Sequence, residues 1–177
     1  ACREGKVAEL PGFGEKTQSK ILAGLAALDR HAERHLLSAA RPVALALLDG
    51  LDKDPDVRKA EIAGSLRRWR ETIGDLDLVA AVPAARRDAV AERFIASPGV
   101  EEVLARGETK VSLRLGGGFQ ADLRMVEEGE FAAALHHFTG SKEHNVELRT
   151  RARQDGITIN EYGLFRGEEP LPVTSEE

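Results

Sequence analysis

The feature that most constrains this chain is a glycine–serine pair followed, after a short basic segment, by the sequence Asp-Leu-Asp. The pattern predicts a turn at Gly64 and Ser65 that opens a short helix, then a loop, and then a strand that carries Asp75 and Asp77. The two acids are two positions apart, so on a strand their carboxylates leave the same face and repel each other unless a cation lies between them. Hard oxygen ligands of this kind suit Mg²⁺ or Mn²⁺, and a helix start offers N–H groups and a hydroxyl to a phosphate. A metal site and a phosphate site one helix apart are the minimum that phosphoryl or nucleotidyl transfer requires.

An isolated Asp-x-Asp is more often a strand end with two solvated acids than a metal site. Here the acids follow Gly-Ser-Leu-Arg-Arg at residues 64–68, and this spacing favours the catalytic interpretation. The stretch from Gly64 to Asp77 resembles the Gly-Ser…Asp-x-Asp signature of the nucleotidyltransferase fold. That resemblance implies a superfamily that polymerases share with several tailing enzymes.

A third carboxylate, Asp122, lies in a segment over 119–126 that alternates about it and predicts a strand. An isolated Asp on a strand is usually an exposed acid, but its order and spacing after Asp75 and Asp77 favour a ligand that completes a two-metal site. The glycines at 116–118 lie between two predicted strands with no helix after them. They therefore predict a hairpin turn and not a nucleotide-binding loop.

Composition and charge narrow the class of protein. Of the 177 residues, 42% are hydrophobic, as in an ordinary globular protein, and no apolar run or signal peptide indicates a membrane span or export. The one cysteine, Cys2, can form no internal disulfide, which indicates a reducing cytoplasm. The net charge of −5 argues mildly against a protein that binds nucleic acid through its net charge alone. The charges are, however, distributed unevenly along the sequence. Basic residues form two clusters: Arg67, Arg68 and Arg70, and then Lys142, Arg149, Arg151 and Arg153.

A second glycine pair lies near the start of the chain, in the segment Leu-Pro-Gly-Phe-Gly-Glu-Lys-Thr over 10–17. Gly12 and Gly14 permit a tight turn, and the apolar positions that follow predict an amphipathic helix. Those positions are Ile21, Leu22, Leu25 and Leu28. The segment resembles the hairpin of a helix–hairpin–helix element, which presents N–H groups to a DNA phosphate and carries no sequence information. The alternative is a plain connection between two helices.

The rest of the chain predicts alternating helices and strands. These are a helix over 36–51 that restarts at Pro42, a polar turn at 52–56, a strand over 57–63, a helix over 84–97 and strands over 100–106 and 109–115.

Two later segments decide between families: Phe138 to Arg149 is FTGSKEHNVELR, and Thr158 to Phe165 is TINEYGLF. Together with the earlier motifs they resemble family X DNA polymerases, the group containing DNA polymerase beta, and particularly their bacterial members. The resemblance extends from the hairpin to Phe165, and tailing nucleotidyltransferases lack this combination.

The resemblance implies an α/β (α+β) protein in three segments. Residues 1–54 would be a helical DNA-binding segment with the helix–hairpin–helix, residues 55–128 a catalytic palm of the nucleotidyltransferase fold, and residues 129–177 a partial α/β thumb that selects nucleotides. The palm would be a mixed β-sheet flanked by helices.

The resemblance also implies a role for each matching residue. Asp75 and Asp77 would bind both of two Mg²⁺ (or Mn²⁺) ions, and Asp122 would bind the catalytic ion and activate the primer 3′-hydroxyl. Gly64, Ser65 and Arg68 would hold the triphosphate of the incoming nucleotide. Its sugar would pack against Phe138, Thr139 and Gly140. Lys142 would lie beside its base, and Asn145 would contact the minor groove of the new pair. DNA would be held by Gly12, Gly14 and Arg149, and a switch that couples thumb to palm would use Arg124, Glu161 and Tyr162. Taken singly, each of these residues could instead be core or a solvated helix face.

The chain departs from the family pattern in three ways. His137 stands where relatives commonly carry Tyr, which puts ribose discrimination in doubt. Gln120 replaces an Arg that some members have near the third acid, which could soften the positioning of that carboxylate. The N-terminal lyase domain and the C-terminal polymerase-and-histidinol-phosphatase domain are not recognised, so we expect a fragment of a longer polymerase that ends inside the thumb.

Two local expectations follow. Asp122 and Arg124 share one strand face, so without metal we expect Arg124 to pair with Asp77 as its counter-charge. From the resemblance we also expect a cis peptide bond between Gly140 and Ser141.

The implied reaction is the attack of a primer 3′-hydroxyl on the α-phosphate of a deoxynucleoside triphosphate, in gap-filling repair of gapped or primer–template DNA. We expect a monomer that works in the cytoplasm beside the nucleoid. One alternative is a template-independent nucleotidyltransferase, which has no use for Asn145 and Arg149. The other is a DNA-binding module that retains the site without turnover.

Overall fold

The structure is a computed structural model of the chain that describes residues 34–173 and a few positions outside that range. Those positions are Val7, Gly14, Glu15, Thr17, Gln18, Ile21 and Ser175. The chain falls into two units, residues 1–34 and residues 35–177.

In the first unit, the structure describes the turn that follows the second hairpin glycine. The amides of Thr17 and Gln18 donate to the carbonyl of Gly14 at 2.9 and 3.0 Å, which begins the predicted helix. Gly14 is exposed, and a Cβ added there would meet nothing within 4 Å. Gly12 lies outside the described residues, so the hairpin and its DNA-binding role stay predictions. Also outside them are Cys2, Leu22, Leu25 and Leu28.

The second unit contains the sheet and its covering helices. In chain order its elements are β1 (His35–Leu36), α1 (Leu37–Asp52), β2 (Lys59–Ile62), α2 (Gly64–Arg67), β3 (Thr72–Ile73), β4 (Leu76–Ala81), α3 (Arg87–Ile95), β5 (Val100–Arg106), β6 (Lys110–Leu115), β7 (Gln120–Val126), α4 (Phe131–Thr139), α5 (Lys142–Gln154), β8 (Ile157–Asn160), β9 (Gly163–Arg166) and β10 (Glu169–Leu171). Short 3₁₀ turns lie at Ala84–Arg86, Gly116–Gly118 and Glu128–Glu130.

The main sheet has five strands in the order β2-β4-β7-β6-β5. Strands β4 and β7 run parallel, and the other neighbours run antiparallel, so the sheet is mixed as predicted. The glycines at 116–118 connect β6 to its antiparallel neighbour β7, which confirms the predicted hairpin turn. A small ladder pairs β1 with β3, and β8, β9 and β10 form a separate antiparallel sheet.

Helix α1 packs against the sheet through one apolar stripe. Its buried residues are Ala40, Ala44, Leu47 and Leu51, at the spacing of one helix face. The predicted restart at Pro42 is wrong, because the helix runs continuously through it. Pro42 lies near the start of the helix, where it removes one backbone hydrogen bond. The stripe is buried in the core of the sheet, and the predicted boundary at residue 54 stays a prediction.

The two faces of β4 and β7 enter different cores. Leu78 and Leu123 lie in the larger core, which α1 and α3 cover. Val79 and Val126 lie in the smaller core, which α4 covers. Because side chains alternate along a strand, Asp77 and the neighbouring acid on β7 share the face of the smaller core. The site is therefore on the side of the sheet that carries the second helical layer.

The transition from β7 to α4 is held by a buried arginine. Arg87 is only 9% exposed, and its Nη2 donates to Glu127 Oε1 at 3.0 Å. The same oxygen accepts the amide of Ala84 at 2.9 Å, and the amide of Glu127 donates to Glu130 at 2.9 Å. The start of α3 is thus fixed to the point where the chain leaves the sheet. None of the described helices is both long and apolar enough to cross a membrane.

Candidate active site

The site centres on two acids that the sheet places side by side. Asp77 on β4 and Asp122 on β7 are direct Cα partners in the parallel ladder. Asp75 lies in the bend just before β4 and is exposed, so it is not within the strand as predicted. It nevertheless precedes Asp77 by two positions at the entrance of the same strand. The sheet thus brings together two predicted carboxylates that are distant in sequence.

The three carboxylates influence one another. The pKa of Asp77 is raised to about 7, first by burial and then by the negative charges of Asp75 and Asp122. The positive charges of Lys110 and Arg124 oppose this increase. A buried acid with two negative neighbours is the environment that a divalent cation would neutralise.

Asp122 is already held by two side chains. Lys110 Nζ lies 2.5 Å from Asp122 Oδ2, and Gln120 Nε2 donates to Oδ1 at 3.2 Å. Within the described part of the chain, no three acidic, histidine or cysteine side chains are gathered closely enough to hold an ion as they stand. The donor set fits Mg²⁺ or Mn²⁺ in chemistry, since three carboxylates are hard oxygen ligands. Asp77 and Asp122 are direct neighbours in the ladder, and the ammonium group of Lys110 lies against the second of them.

Gly64 lies directly against the carboxylate of Asp77. Its φ is +61°, and a Cβ added there would overlap Asp77 Oδ2 and lie 2.8 Å from Cγ. The amide of Ala63 also donates to the carbonyl of Asp77 at 2.8 Å, which fixes the turn to β4. Only glycine fits this position, because both the backbone conformation and the close approach exclude a side chain.

The phosphate side of the predicted site is formed by the short helix α2. The hydroxyl of Ser65 is buried and has no hydrogen-bond partner. Arg68 Nη1 donates to the carbonyl of Thr139, and Arg67 Nη1 donates to Thr139 Oγ1 at 3.3 Å. The predicted triphosphate-binding and sugar-binding residues therefore meet here, with Arg68 bound to backbone of the α4 end.

The residues predicted to hold the nucleotide sugar lie at the end of α4. Phe138 and Thr139 are half-buried, and the helix ends at Gly140, whose φ is +64°. A Cβ on Gly140 would lie 3.3 Å from Arg68 Nη1, so glycine allows this close approach. The peptide bond between Gly140 and Ser141 is cis, as predicted. Lys142 then opens α5 as an exposed residue.

Asn145 and Arg149 share one face of α5, as predicted, and both contact His137. Asn145 Nδ2 donates to the carbonyl of His137 at 2.7 Å, and Arg149 Nη2 lies 2.9 Å from His137 Nδ1. Because a guanidinium only donates, Nδ1 must be the acceptor and the ring must be neutral. The pKa of His137 is lowered by burial and, among its neighbours, by Arg149, while Glu161 opposes the change.

The predicted pair between Arg124 and Asp77 is wrong. The guanidinium of Arg124 lies over the ring of Phe138, 4.9 Å from its centroid, and forms no ion pair with Asp77. The aromatic face competes for this cation, because Arg stacks well on a ring at little desolvation cost. Glu161 and Tyr162 lie at the turn between β8 and β9, and with Arg124 and Phe138 they line a cleft of about 240 Å³. The switch residues are thus gathered together, and their switching stays a prediction.

Sequence reasoning missed Lys110 as the counter-charge of the acids. The signal was present in the hairpin, because a turn at 116–118 sets the register of β6 against β7. That register pairs Ser112 with Asp122 and Lys110 with Arg124, which makes Lys110 a diagonal neighbour of Asp122. Reading the hairpin outward from the glycines would have placed this lysine beside the acid.

Comparison with known proteins agrees with this geometry. A family model described as DNA polymerase beta thumb matches residues 134–177. A DNA polymerase/3′-5′ exonuclease PolX of Bacillus subtilis (strain 168) is 40% identical over 168 residues, which is 93% of this chain and 29% of that protein. Repair DNA polymerase X of African swine fever virus (isolate Pig/Kenya/KEN-50/1950) is 30% identical over 119 residues, which is 64% of this chain and 68% of that protein.

The chain therefore spans less than a third of the bacterial relative and about two thirds of the viral one. A second viral relative, from the strain Badajoz 1971 Vero-adapted, is also 30% identical and is covered to 69% of its length. With the parallel pair of acids, the glycine turn against Asp77 and the matched thumb segment, these similarities show that the chain belongs to the family X DNA polymerases.

Proposed function

We propose that this chain carries a DNA-directed DNA polymerase site that transfers a nucleotide from a deoxynucleoside triphosphate to a primer 3′-hydroxyl. The observation that carries the proposal is the direct pairing of Asp77 with Asp122 in the parallel ladder, with Gly64 closed against the first of them. Two divalent ions bound there would supply charge neutralisation for the attacking and leaving oxygens. The name of the viral relative, repair DNA polymerase X, supports DNA repair as the setting, and gap filling is part of the same proposal.

The residues of the chain have distinct roles in this proposal. Asp75, Asp77 and Asp122 hold the ions. Asp122 also activates the primer 3′-hydroxyl. The backbone at Gly64, the unpartnered hydroxyl of Ser65 and the guanidinium of Arg68 hold the triphosphate. Catalysis is then mostly the positioning of reactants and the stabilisation of developing charge.

On the thumb side, the nucleotide sugar packs against Phe138, Thr139 and Gly140, and Lys142 lies beside the base. Asn145 and Arg149 contact the minor groove of the new pair and the template, where contacts respond to pair shape more than to base identity. Their shared bond partner His137 holds both in the absence of DNA. The same proposal includes Mg²⁺ or Mn²⁺ as the ions and gapped DNA as the partner. It also includes a monomeric state and a cytoplasmic location beside the nucleoid.

Primer extension tests the proposal. The purified chain is given Mg²⁺ or Mn²⁺, the four deoxynucleotides and either a gapped duplex or a single-stranded primer. We expect templated extension on the gapped duplex and none with Asp122→Ala, which keeps the fold but removes a carboxylate. Asp88→Ala is the matched control, since Asp88 is an exposed acid on α3 away from the site. Equal extension of the single-stranded primer, or activity in Asp122→Ala, would contradict the proposal.

A further inference from the structure

The third carboxylate of the site has both oxygens occupied by the protein itself. Gln120 donates its amide to Asp122 Oδ1, and Lys110 places its ammonium 2.5 Å from Oδ2. The side chain of Asp122 is 12% exposed and that of Lys110 is 33% exposed, so this ion pair is partly shielded from water. Shielding makes it stronger than a pair on the open surface.

The position of Lys110 is set by the sheet. Strand β6 pairs antiparallel with β7, with Ser112 opposite Asp122 and Lys110 opposite Arg124. Lys110 therefore lies on the same face as the acid and one diagonal step away, which is within reach of a long side chain. The other two cations on this face of β6 and β7 are engaged elsewhere, since Arg124 is turned onto Phe138 and Arg114 pairs with Glu102. Lys110 is thus the cation that the fold delivers to the third acid.

We propose that Lys110 is a positioning residue that holds Asp122 in the metal-free protein and competes with a divalent cation for Oδ2. The inference rests on the proposed function, in which Asp122 is a metal ligand. It adds a residue to the site that the resemblance did not supply.

Electrostatics gives this contact two consequences. In the metal-free protein the ammonium reduces the repulsion among the three carboxylates and fixes the orientation of Asp122. A divalent cation at Oδ2 would repel the ammonium at contact distance, so Lys110 must leave before the oxygen becomes a ligand. Breaking the ion pair between Lys110 and Asp122 costs free energy, and this cost weakens the binding of the divalent cation. Gln120 is neutral and bonds to the other oxygen, so it can stay in place.

Titration of Mn²⁺ into the chain, followed by the loss of free-ion signal in electron paramagnetic resonance, tests the competition without DNA, nucleotide or turnover. We expect Lys110→Met to bind Mn²⁺ about three- to tenfold more tightly than the unchanged chain, the range that a partly exposed ion pair supports. Lys110→Arg keeps a cation on the same strand face and should stay within about twofold of the unchanged chain.

Two controls separate local competition from general charge. Lys59→Met removes the same charge from an exposed position on β2, at the far edge of the sheet, and should leave Mn²⁺ binding within about twofold. In an Asp122→Asn background, Lys110→Met should have no effect, because the contested oxygen no longer carries the charge. Circular dichroism and thermal melting check each fold, and Lys110→Gln replaces any Met variant that fails to fold.

The outcomes separate this inference from the proposed function. Tight saturable binding that Asp122→Asn weakens, together with no gain in Lys110→Met or Lys110→Gln, would overturn the role of Lys110 and leave the proposed site standing. A gain of equal size in Lys59→Met would overturn it as well. Absence of Mn²⁺ binding in both the unchanged chain and the Lys110 variants would overturn the inference and the proposed metal site together.

Discussion

At the scale of the residue, the contact between Gly64 and Asp77 limits the site most strictly. The glycine has φ of +61° and touches the carboxylate, so its missing side chain is what leaves room for the acid. Adding a single carbon would move the acid or the turn that precedes α2. A shift of about 1 Å in such a group costs about 10²-fold in rate in enzymes whose catalysis depends on positioning.

We therefore predict that Gly64→Ala lowers kcat/KM for primer extension by about 100-fold or more, while the chain still folds. The cause is displacement of Asp77 Oδ2, with added backbone strain at positive φ. The measurement is single-nucleotide extension on gapped DNA beside a thermal melt. Gly50→Ala is the matched control, because a Cβ on this residue of α1 meets nothing within 4 Å and should raise stability by about 0.5–1 kcal/mol. Full activity in Gly64→Ala would contradict the role of this contact.

At the scale of the element, helix α5 is tied to the end of α4 through one histidine. His137 accepts from Arg149 only while its ring is neutral, and burial and the neighbouring cations lower its pKa. The neutral form is therefore favoured in the folded state. Stability from this arrangement is fully present above the ordinary His pKa of about 6.5 and is lost as pH falls through the lower folded value.

The corresponding prediction is that Arg149→Met raises the pKa of His137 toward its ordinary value. The charge of Arg149 is one of the causes of the lowering, and its removal leaves burial, His136 and Arg124 to act against Glu161. Titration of the ring signals by NMR measures the change. Arg151→Met on the same helix is the control, since Arg151 is exposed and pairs with Glu147. An unchanged His137 pKa in Arg149→Met, or an equal rise in the control, would show that the contact does not form in solution.

A second inter-element contact joins α3 to the loop after α1. Arg93 donates from Nε and Nη2 to the two oxygens of Asp54, both at 2.7 Å, and Nη2 also reaches Asp56 at 2.7 Å. Burial alone would raise the pKa of Asp54, but the bonds from Arg93 and from the Asp56 amide outweigh it, so the pKa is lowered. The stability that this carboxylate contributes is present above the ordinary Asp value of about 4 and is lost as pH falls below it.

We predict that Asp54→Asn lowers the free energy of unfolding by about 1 kcal/mol at pH 7, and that the difference shrinks as the pH approaches 3. Urea unfolding at several pH values measures it. Asp49→Asn breaks an exposed pair with Lys53 on α1 and should change stability by no more than about 0.5 kcal/mol. A loss in Asp54→Asn that is the same at pH 3 and pH 7 would refute the ionic origin.

At the scale of the whole molecule, charge distribution matters more than net charge. The chain carries −5 overall, yet the basic residues of α2 and α5 lie at the proposed nucleotide and DNA positions. Under the proposed function, a chain with this net charge would repel DNA at long range and bind it through few phosphate contacts. Binding should therefore be weak, with a salt dependence set by only a few phosphate contacts.

Affinity for a gapped duplex is predicted to fall by about 10- to 100-fold between about 50 and about 200 mM salt. Arg149→Met should reduce the slope of log K against log salt by about 0.9 if Arg149 meets a phosphate, and should leave the slope unchanged if it reads only the minor groove. Fluorescence anisotropy at a series of salt concentrations provides both values. A fall of about 10³-fold or more over this range would contradict the assignment of few phosphate contacts, and tight binding that salt does not weaken would contradict binding through phosphates at all.

The sequence by itself predicted most of the elements and the candidate residues that they hold, although Asp75 lies before β4 and not within it. The alternation around Asp122, the glycine hairpin at 116–118 and the segment from Phe138 to Arg149 all appear in the structure where the pattern predicts them. Such signals are local, because side-chain direction within a strand or a helix follows from its own period. The family resemblance was equally readable from the order of these motifs, and the comparisons confirm it.

Only the tertiary structure decided which partners those residues take. The pairing of Asp77 with Asp122 depends on the register between two strands distant in sequence, and the choice of Lys110 over Arg124 depends on a competing aromatic ring. The continuity of α1 through Pro42 likewise followed from burial of its stripe against the sheet. Each outcome is one of several arrangements with similar contact energies, and the groups involved are too far apart in sequence for a local pattern to relate them. The packing of the whole unit selects the arrangement.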